Sequence, residues 1–150
     1  MRNKILPILI ITVLAIISCK SNHDNLLSGA KDGNIEEVKN ALQKGANVNI
    51  KDNQGKTPLI WASMNGQTEI VKLLIQAGAS VNAMDAGGWT ALMWTIMYVQ
   101  GNIETVKLLI QAGADVNAKD NQGHTVLWHA ESMRGFDHAL MKLLKQAGAR

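Results

Sequence analysis

An all-α chain, built as a short solenoid of helix–turn–helix units, is what this sequence predicts, and three observations carry the prediction. The pentapeptide KDNQG occurs at Lys51–Gly55 and again at Lys119–Gly123, an offset of 68 residues, and a degenerate copy, MDAGG, lies between them at Met84–Gly88. The dipeptide GA closes an apolar run at Gly45, Gly78, Gly113 and Gly148, at spacings of 33, 35 and 35 residues. Between turn and GA, apolar side chains recur at helical rather than alternating spacing. Self-similarity at a period of about 20–50 residues marks stacked supersecondary units, none of which can bury its apolar face alone.

The amino terminus stands outside this pattern. Arg2 and Lys4 precede an apolar run from Ile5 to Ile17, interrupted only by Pro7 and Thr12. Its 13 residues fall short of the roughly 20 that a spanning helix needs. A basic start, a short apolar run and small residues at its end predict an export signal over residues 1–18. That signal ends in IISC, and Cys19 is the only cysteine in the chain. The pattern resembles the lipobox of bacterial lipoproteins, with Ile16 in place of the more usual Leu. The resemblance implies that Cys19 is lipidated after cleavage and anchors the protein to a membrane of the bacterial cell envelope, facing periplasm or exterior. A buried or incidental cysteine in an ordinary secretory signal is the alternative. Residues 19–24 then form a tether, with the repeat domain over 25–150, divided as 25–50, 51–83, 84–118 and 119–150.

The charge balance offers no sign of a nucleic-acid partner. The chain carries 15 Lys and Arg against 12 Asp and Glu. Removing residues 1–18 takes away Arg2 and Lys4 and no acid, which leaves 13 against 12 and a formal +1. Nothing in that balance points to nucleic acid. With Cys19 committed to lipid, no thiol remains for a disulfide, so stability rests on packing.

Each unit reads as a turn followed by two helices. In the fullest copy, Asp52–Gly55 carries turn residues, Thr57 is a good N-cap, and Pro58 suits the first helical position. The first helix runs to Asn65 and breaks at Gly66. In the second, Ile70, Val71, Leu73, Leu74 and Ile75 are apolar while Glu69, Lys72 and Gln76 point outward, until Gly78 supplies a left-handed C-cap. The same order recurs from Asp85 to Ala118 and from Asp120 to Arg150, and a shorter opening copy runs from Asn25 to Ile50.

At these residues the chain resembles the ankyrin repeat: GKTPLIWA, GWTALMWT and GHTVLWHA match its G-x-T-P-L-H-x-A line, and LLIQAGA-x-VNA matches its second half. The motif's His is replaced by Ile60, Met93 and Trp128, so the hydrogen-bond ladder attributed to that His is not expected. Pro survives only in the first full copy. The middle unit has extra residues around IMYVQ, expected to lengthen a helix over Met97–Val99, with an apolar projection as the alternative, and the last has extras near Ser132–Gly135 and before its second helix. Ile75 and Ile110 are expected to face the following unit, where the last copy carries Lys145; Glu37 and Asn40 make the opening copy polar at matching positions. Polar ends of this kind are what a complete short array requires.

No catalytic or cofactor constellation emerges. His124 and His129 are five residues apart across a helix start, which is not a metal-ligand spacing, so solvated or core histidines are expected and no metal is assigned. Ser63 has no base in register, and Gly87–Gly88 lacks the pattern of a phosphate loop. The resemblance instead implies a monomeric recognition module that binds another protein through turn tips and inner helices. On this sequence the tips are Lys51, Asn53, Gln54 and Lys56, then Met84, Ala86, Gly87 and Trp89, then Lys119, Asn121, Gln122 and His124. The inner-helix positions are Trp61, Met64, Asn65, Trp94, His129 and Met133. Trp89 is the expected hot spot, since indoles dominate many interfaces, with packing over the next turn as its alternative role. An accessory subunit, or an inhibitor or immunity-type regulator of an envelope enzyme, is the competing function; an enzyme or small-molecule binder is a weaker one.

Overall fold

In the computed structural model of the chain, residues 22–98, 102–132 and 138–150 are described. They form an all-α repeat solenoid. Helix α1 covers residues 22–32, followed by α2 (Ile35–Gln43), α3 (Pro58–Met64), α4 (Thr68–Gln76), α5 (Ala91–Tyr98), α6 (Ile103–Gln111), α7 (Val126–Ser132) and α8 (His138–Gln146). Helices α3, α5 and α7 pack in succession as an inner row, α2, α4 and α6 as an outer row, and each pair α3–α4, α5–α6 and α7–α8 closes one unit. Among the described residues, extended pairing is limited to the isolated antiparallel bridges Met84–Thr90 and Lys119–Thr125 at the turn tips.

The repeated words of the sequence have local physical causes. Thr57, in extended backbone, accepts from the Ile60 N–H at 3.3 Å, and Pro58 occupies the first turn, where no N–H is needed. Thr90 and Thr125 accept likewise from the N–H groups of Met93 (3.4 Å) and Trp128 (3.3 Å). The GA dipeptide is a helix stop. Gly78 sits at φ +85, its N–H donates to the Ile75 carbonyl, and the Ala79 N–H reaches back to the Leu74 carbonyl, both at 3.0 Å. This pairing satisfies two carbonyls that the helix end would leave orphaned, and it needs a residue free to adopt positive φ. The same two bonds recur at Gly45–Ala46, Gly113–Ala114 and Gly148–Ala149.

The core lies between the two rows. Leu26, Val38, Leu59, Val71, Leu74, Leu92, Val106, Leu109, Leu140 and Leu144 are wholly or almost wholly removed from solvent. Ile75 and Ile110 pack against this cluster, while Lys145 at the matching position is exposed. Ile60 and Met93, which stand where the motif has His, are fully buried; Trp128 holds that position in the last unit and is 48% exposed. Units are also tied side to side by the Asn of each VN pair. Asn82 accepts from the Asp115 N–H (2.8 Å) and donates to the Gly113 carbonyl (3.0 Å), and Asn117 does the same to Arg150 (2.9 Å) and Gly148 (3.0 Å).

One boundary differs from the sequence expectation. Residues 22–24, expected as tether, belong to α1, and Asn22 is buried with its amide donating to the Lys44 carbonyl at 3.4 Å. A polar residue looks like a tether in sequence; here its hydrogen bond to the end of α2 makes it part of the first unit. Helix α5 has 8 residues against 7 in α3, so the middle unit does lengthen its helix as far as Tyr98. Cys19, Val99 and Met133 lie outside the described residues.

Candidate partner-binding face

One aspartate organises each turn tip. The Asp52 Oδ1 accepts from the N–H groups of Gln54 (2.8 Å) and Lys56 (2.9 Å), which closes the turn, while its Oδ2 accepts from the Trp61 indole at 2.8 Å. Asp85 repeats this with Gly87 (2.8 Å), Trp89 (3.0 Å) and the Trp94 indole (2.8 Å). Asp120 repeats it with Gln122 and His124 (both 2.9 Å), and the ring Nε2 of His129 takes the place of the indole at 2.8 Å. The carboxylate therefore acts as a strut between tip and inner helix, with both oxygens used. A group this buried keeps its charge only when so paired. For Asp120, burial pushes the pKa up, but the His124 N–H, the His129 ring and the Gln122 N–H together hold it below the ordinary carboxylate value.

These struts align the rings of successive units into a row. The Trp61 ring lies between the ammonium groups of Lys31 (5.0 Å) and Lys56 (5.3 Å), and Lys56 also stands 4.9 Å from the Trp94 ring. Trp94 contacts Tyr98 at 5.2 Å and Trp89 at 4.8 Å between centroids, and Trp89 reaches His129 at 4.4 Å. His124 stacks flat on Trp128, 3.5 Å apart and within 7° of parallel. Large apolar side chains exposed among the described residues are Tyr98 (65%), Trp128 (48%) and Met84 (40%), on the tips and inner row.

A family model described as ankyrin repeats (3 copies) matches residues 26–120 and again residues 82–150. The chain belongs to the ankyrin-repeat family. Comparison with curated proteins gives no match. Ankyrin repeats generally mediate protein–protein interaction, and such domains are typically non-enzymatic binding modules.

Within the ankyrin stack the expected tip residues are distributed unevenly. Lys51, Asn53, Gln54, Met84, Lys119, Asn121 and Gln122 are exposed at the tips, as are Ala86 and Gly87. Several of them also hold tips together: Lys51 Nζ donates to the Met84 carbonyl at 2.8 Å, and Asn121 donates to the Ala86 carbonyl at 2.9 Å. Lys56, expected among the tip residues that meet a partner, is a bridge between units. Only 12% of its side chain is exposed, and its Nζ stands 3.9 Å from Asp85 Oδ2 and 2.8 Å from Gln54 Oε1. Trp89 is half-buried rather than free, because Trp94 and His129 flank it. Trp61, Trp94, Met64 and His124 are also half-buried, Asn65 is exposed, and His129 is buried. Sequence reasoning passed over Tyr98, treated as part of an insertion, and Trp128, treated as a replaced motif His. The signal that could have found Trp128 was the indole itself, at a position that holds Ile60 and Met93 in the earlier copies.

Proposed function

We propose that this chain is a protein-recognition module, carried on a bacterial envelope membrane by a lipid on Cys19, that grips a partner protein with the tips and inner row of its last two units. The observation that carries the reading is the segregation of exposed rings: Tyr98 and Trp128, with Met84, project from the tip and inner-row side. Trp and Tyr supply large contact area with few rotatable bonds to immobilise, and they are enriched among the residues that dominate binding energy. Trp94, held by Asp85, lies against Tyr98, and His124 and His129 lie against Trp128, so both exposed rings are flanked before any partner arrives. Such preorganisation lowers the cost of association. Because the row is itself packed, Trp89→Ala is expected to reduce stability as well as binding, whereas Trp128→Ala acts mainly on binding.

Site-specific photo-crosslinking in cells of the source organism tests both halves. A crosslinker at Tyr98 or Trp128 gives a discrete protein adduct in the membrane fraction, and one at the exposed outer-row residue Lys72 does not. Equal adducts from all three positions refute the binding face. Cys19→Ser moves the chain to the soluble fraction and abolishes incorporation of labelled fatty acid; a wild-type chain that is already soluble and unlabelled refutes the anchor.

A further inference from the structure

The last unit departs from its predecessors at two positions of the same strut, and the departures converge. Four residues after the organising aspartate the chain has Lys56, then Trp89, then His124; nine residues after it, Trp61, then Trp94, then His129. In the third full copy both positions are imidazoles. The His129 Nε2 lies 2.8 Å from Asp120 Oδ2 and the His124 Nδ1 lies 3.8 Å from the same oxygen, and the three ligand atoms fall within 4.8 Å of one another. The Nδ1 of His124 is buried and has no hydrogen-bond partner, although buried ring nitrogens are ordinarily satisfied.

We propose that Asp120, His124 and His129 form a binding site for a divalent transition-metal ion of the zinc type. Two imidazoles and a carboxylate are the ligand set that borderline cations such as Zn²⁺, Co²⁺ and Ni²⁺ prefer over hard oxygen-only sites. Metal–ligand bonds of about 2.0–2.1 Å in tetrahedral array place ligand atoms about 3.3 Å apart. The two separations from Asp120 Oδ2, 2.8 and 3.8 Å, straddle that value, and the two ring nitrogens lie within 4.8 Å of each other. Asp120 and His129 are the buried, fixed members, with 1% and 5% of their side chains exposed, and His124 at 28% is the member with room to swing. The second layer is already in place: the Asp120 Oδ1 accepts two backbone N–H groups, which aims Oδ2 at the rings. Charge argues in the same direction. Asp85 has the ammonium of Lys56 at 3.9 Å, whereas the residue of the preceding tip that approaches the last strut is the uncharged Trp89, against His129. A cation between Asp120 and the two rings supplies the compensation that Lys56 provides one unit earlier. On binding, the ion takes the place of the hydrogen between His129 Nε2 and Asp120, the His129 ring carries its proton on Nδ1, and the fourth coordination position is left to water.

The repeat supplies its own test variants. His129→Trp restores the residue of the two earlier units and keeps the ring N–H that bonds the aspartate, and His124→Lys restores the residue of the first; both preserve the fold while deleting a ligand. The full chain, purified in detergent and stripped with a chelator, is titrated with Co²⁺ alone and followed by its visible ligand-field absorption, with Zn²⁺ as competitor and thermal unfolding by circular dichroism in parallel. Wild type and His138→Gln develop the band, lose it to Zn²⁺ and melt higher with metal. His129→Trp and His124→Lys melt as cooperatively as wild type without metal and bind at least about tenfold more weakly. No band in wild type, unchanged affinity in either ligand variant, or equal loss in His138→Gln overturns the site.

Discussion

Deleting the carboxylate of Asp85 is the most informative perturbation of the strut. Only 4% of this side chain is exposed, and it accepts from the Gly87 N–H (2.8 Å), the Trp89 N–H (3.0 Å) and the Trp94 indole (2.8 Å), with Lys56 at 3.9 Å. The Gly87 N–H lies at the exposed tip and re-bonds to water after substitution. The other two donors are partly buried. Hydrogen bonds to charged acceptors contribute about 1.5–3 kcal/mol each, so the loss of these two in Asp85→Ala is expected to cost about 3–6 kcal/mol. That is a large share of the roughly 5–15 kcal/mol by which a domain is stable. Trp94→Phe keeps the ring and removes only the indole N–H, and it isolates one arm of the strut. Urea unfolding of residues 19–150 as wild type, each single variant and the double variant, followed by far-ultraviolet circular dichroism, gives the four free energies that a double-mutant cycle needs. A coupling energy of about 1 kcal/mol or more between Asp85 and Trp94 is expected, because the two share one bond. If Asp85→Ala costs less than about 1 kcal/mol, or the two substitutions simply add, the carboxylate is not what joins tip to helix.

Two further outcomes follow from close approach and from charge. Gly88 (φ +79) and Gly113 (φ +90) share the left-handed backbone, but a Cβ on Gly88 would stand 2.7 Å from the Asn121 backbone nitrogen while one on Gly113 meets nothing within 4 Å. Ala at Gly113 is therefore expected to cost about 1 kcal/mol for conformation alone, and Ala at Gly88 about 1–3 kcal/mol more for overpacking between tips; equal losses by urea titration would refute the tip-to-tip contact. The folded-state pKa of Asp120 is depressed below its ordinary value of about 3.9, so its contribution to stability is fully present above that pH and is lost as pH falls through the depressed folded value. Thermal melts between about pH 5 and 2 should narrow the gap between wild type and Asp120→Asn, and a gap independent of pH would show that the charge does not matter.

The all-α stack was legible because its signals are local. A glycine at positive φ after an apolar helix, a Thr before it and a period near one repeat are properties of consecutive residues, and backbone sterics and capping act on consecutive residues. The tip residues were legible for the same reason, as positions in a motif. Their roles were not. Lys56 and Lys51 occupy equivalent-looking polar sites beside Asp52, yet Lys56 is folded over two indoles while Lys51 stays exposed at the tip. Hydropathy does not distinguish a lysine that solvates an edge from one that caps a ring.

The amino-acid order alone determined the helices, their stops, the stacking of one unit on the next and the membership of Val71 and Leu74 in the core. The tertiary structure decided what the polar residues do. Asp120 and His129 are nine residues apart and look unrelated in sequence, and the turn folds back on its helix so that Oδ2 and Nε2 come within 2.8 Å. Trp89 and His129 lie 40 residues apart in the chain and meet at 4.4 Å only because neighbouring units are in register. Helix caps and turns depend on covalent neighbours, whereas each strut depends on a turn folded back on its own helix, and the ring row depends on distances that exist only after the units have stacked.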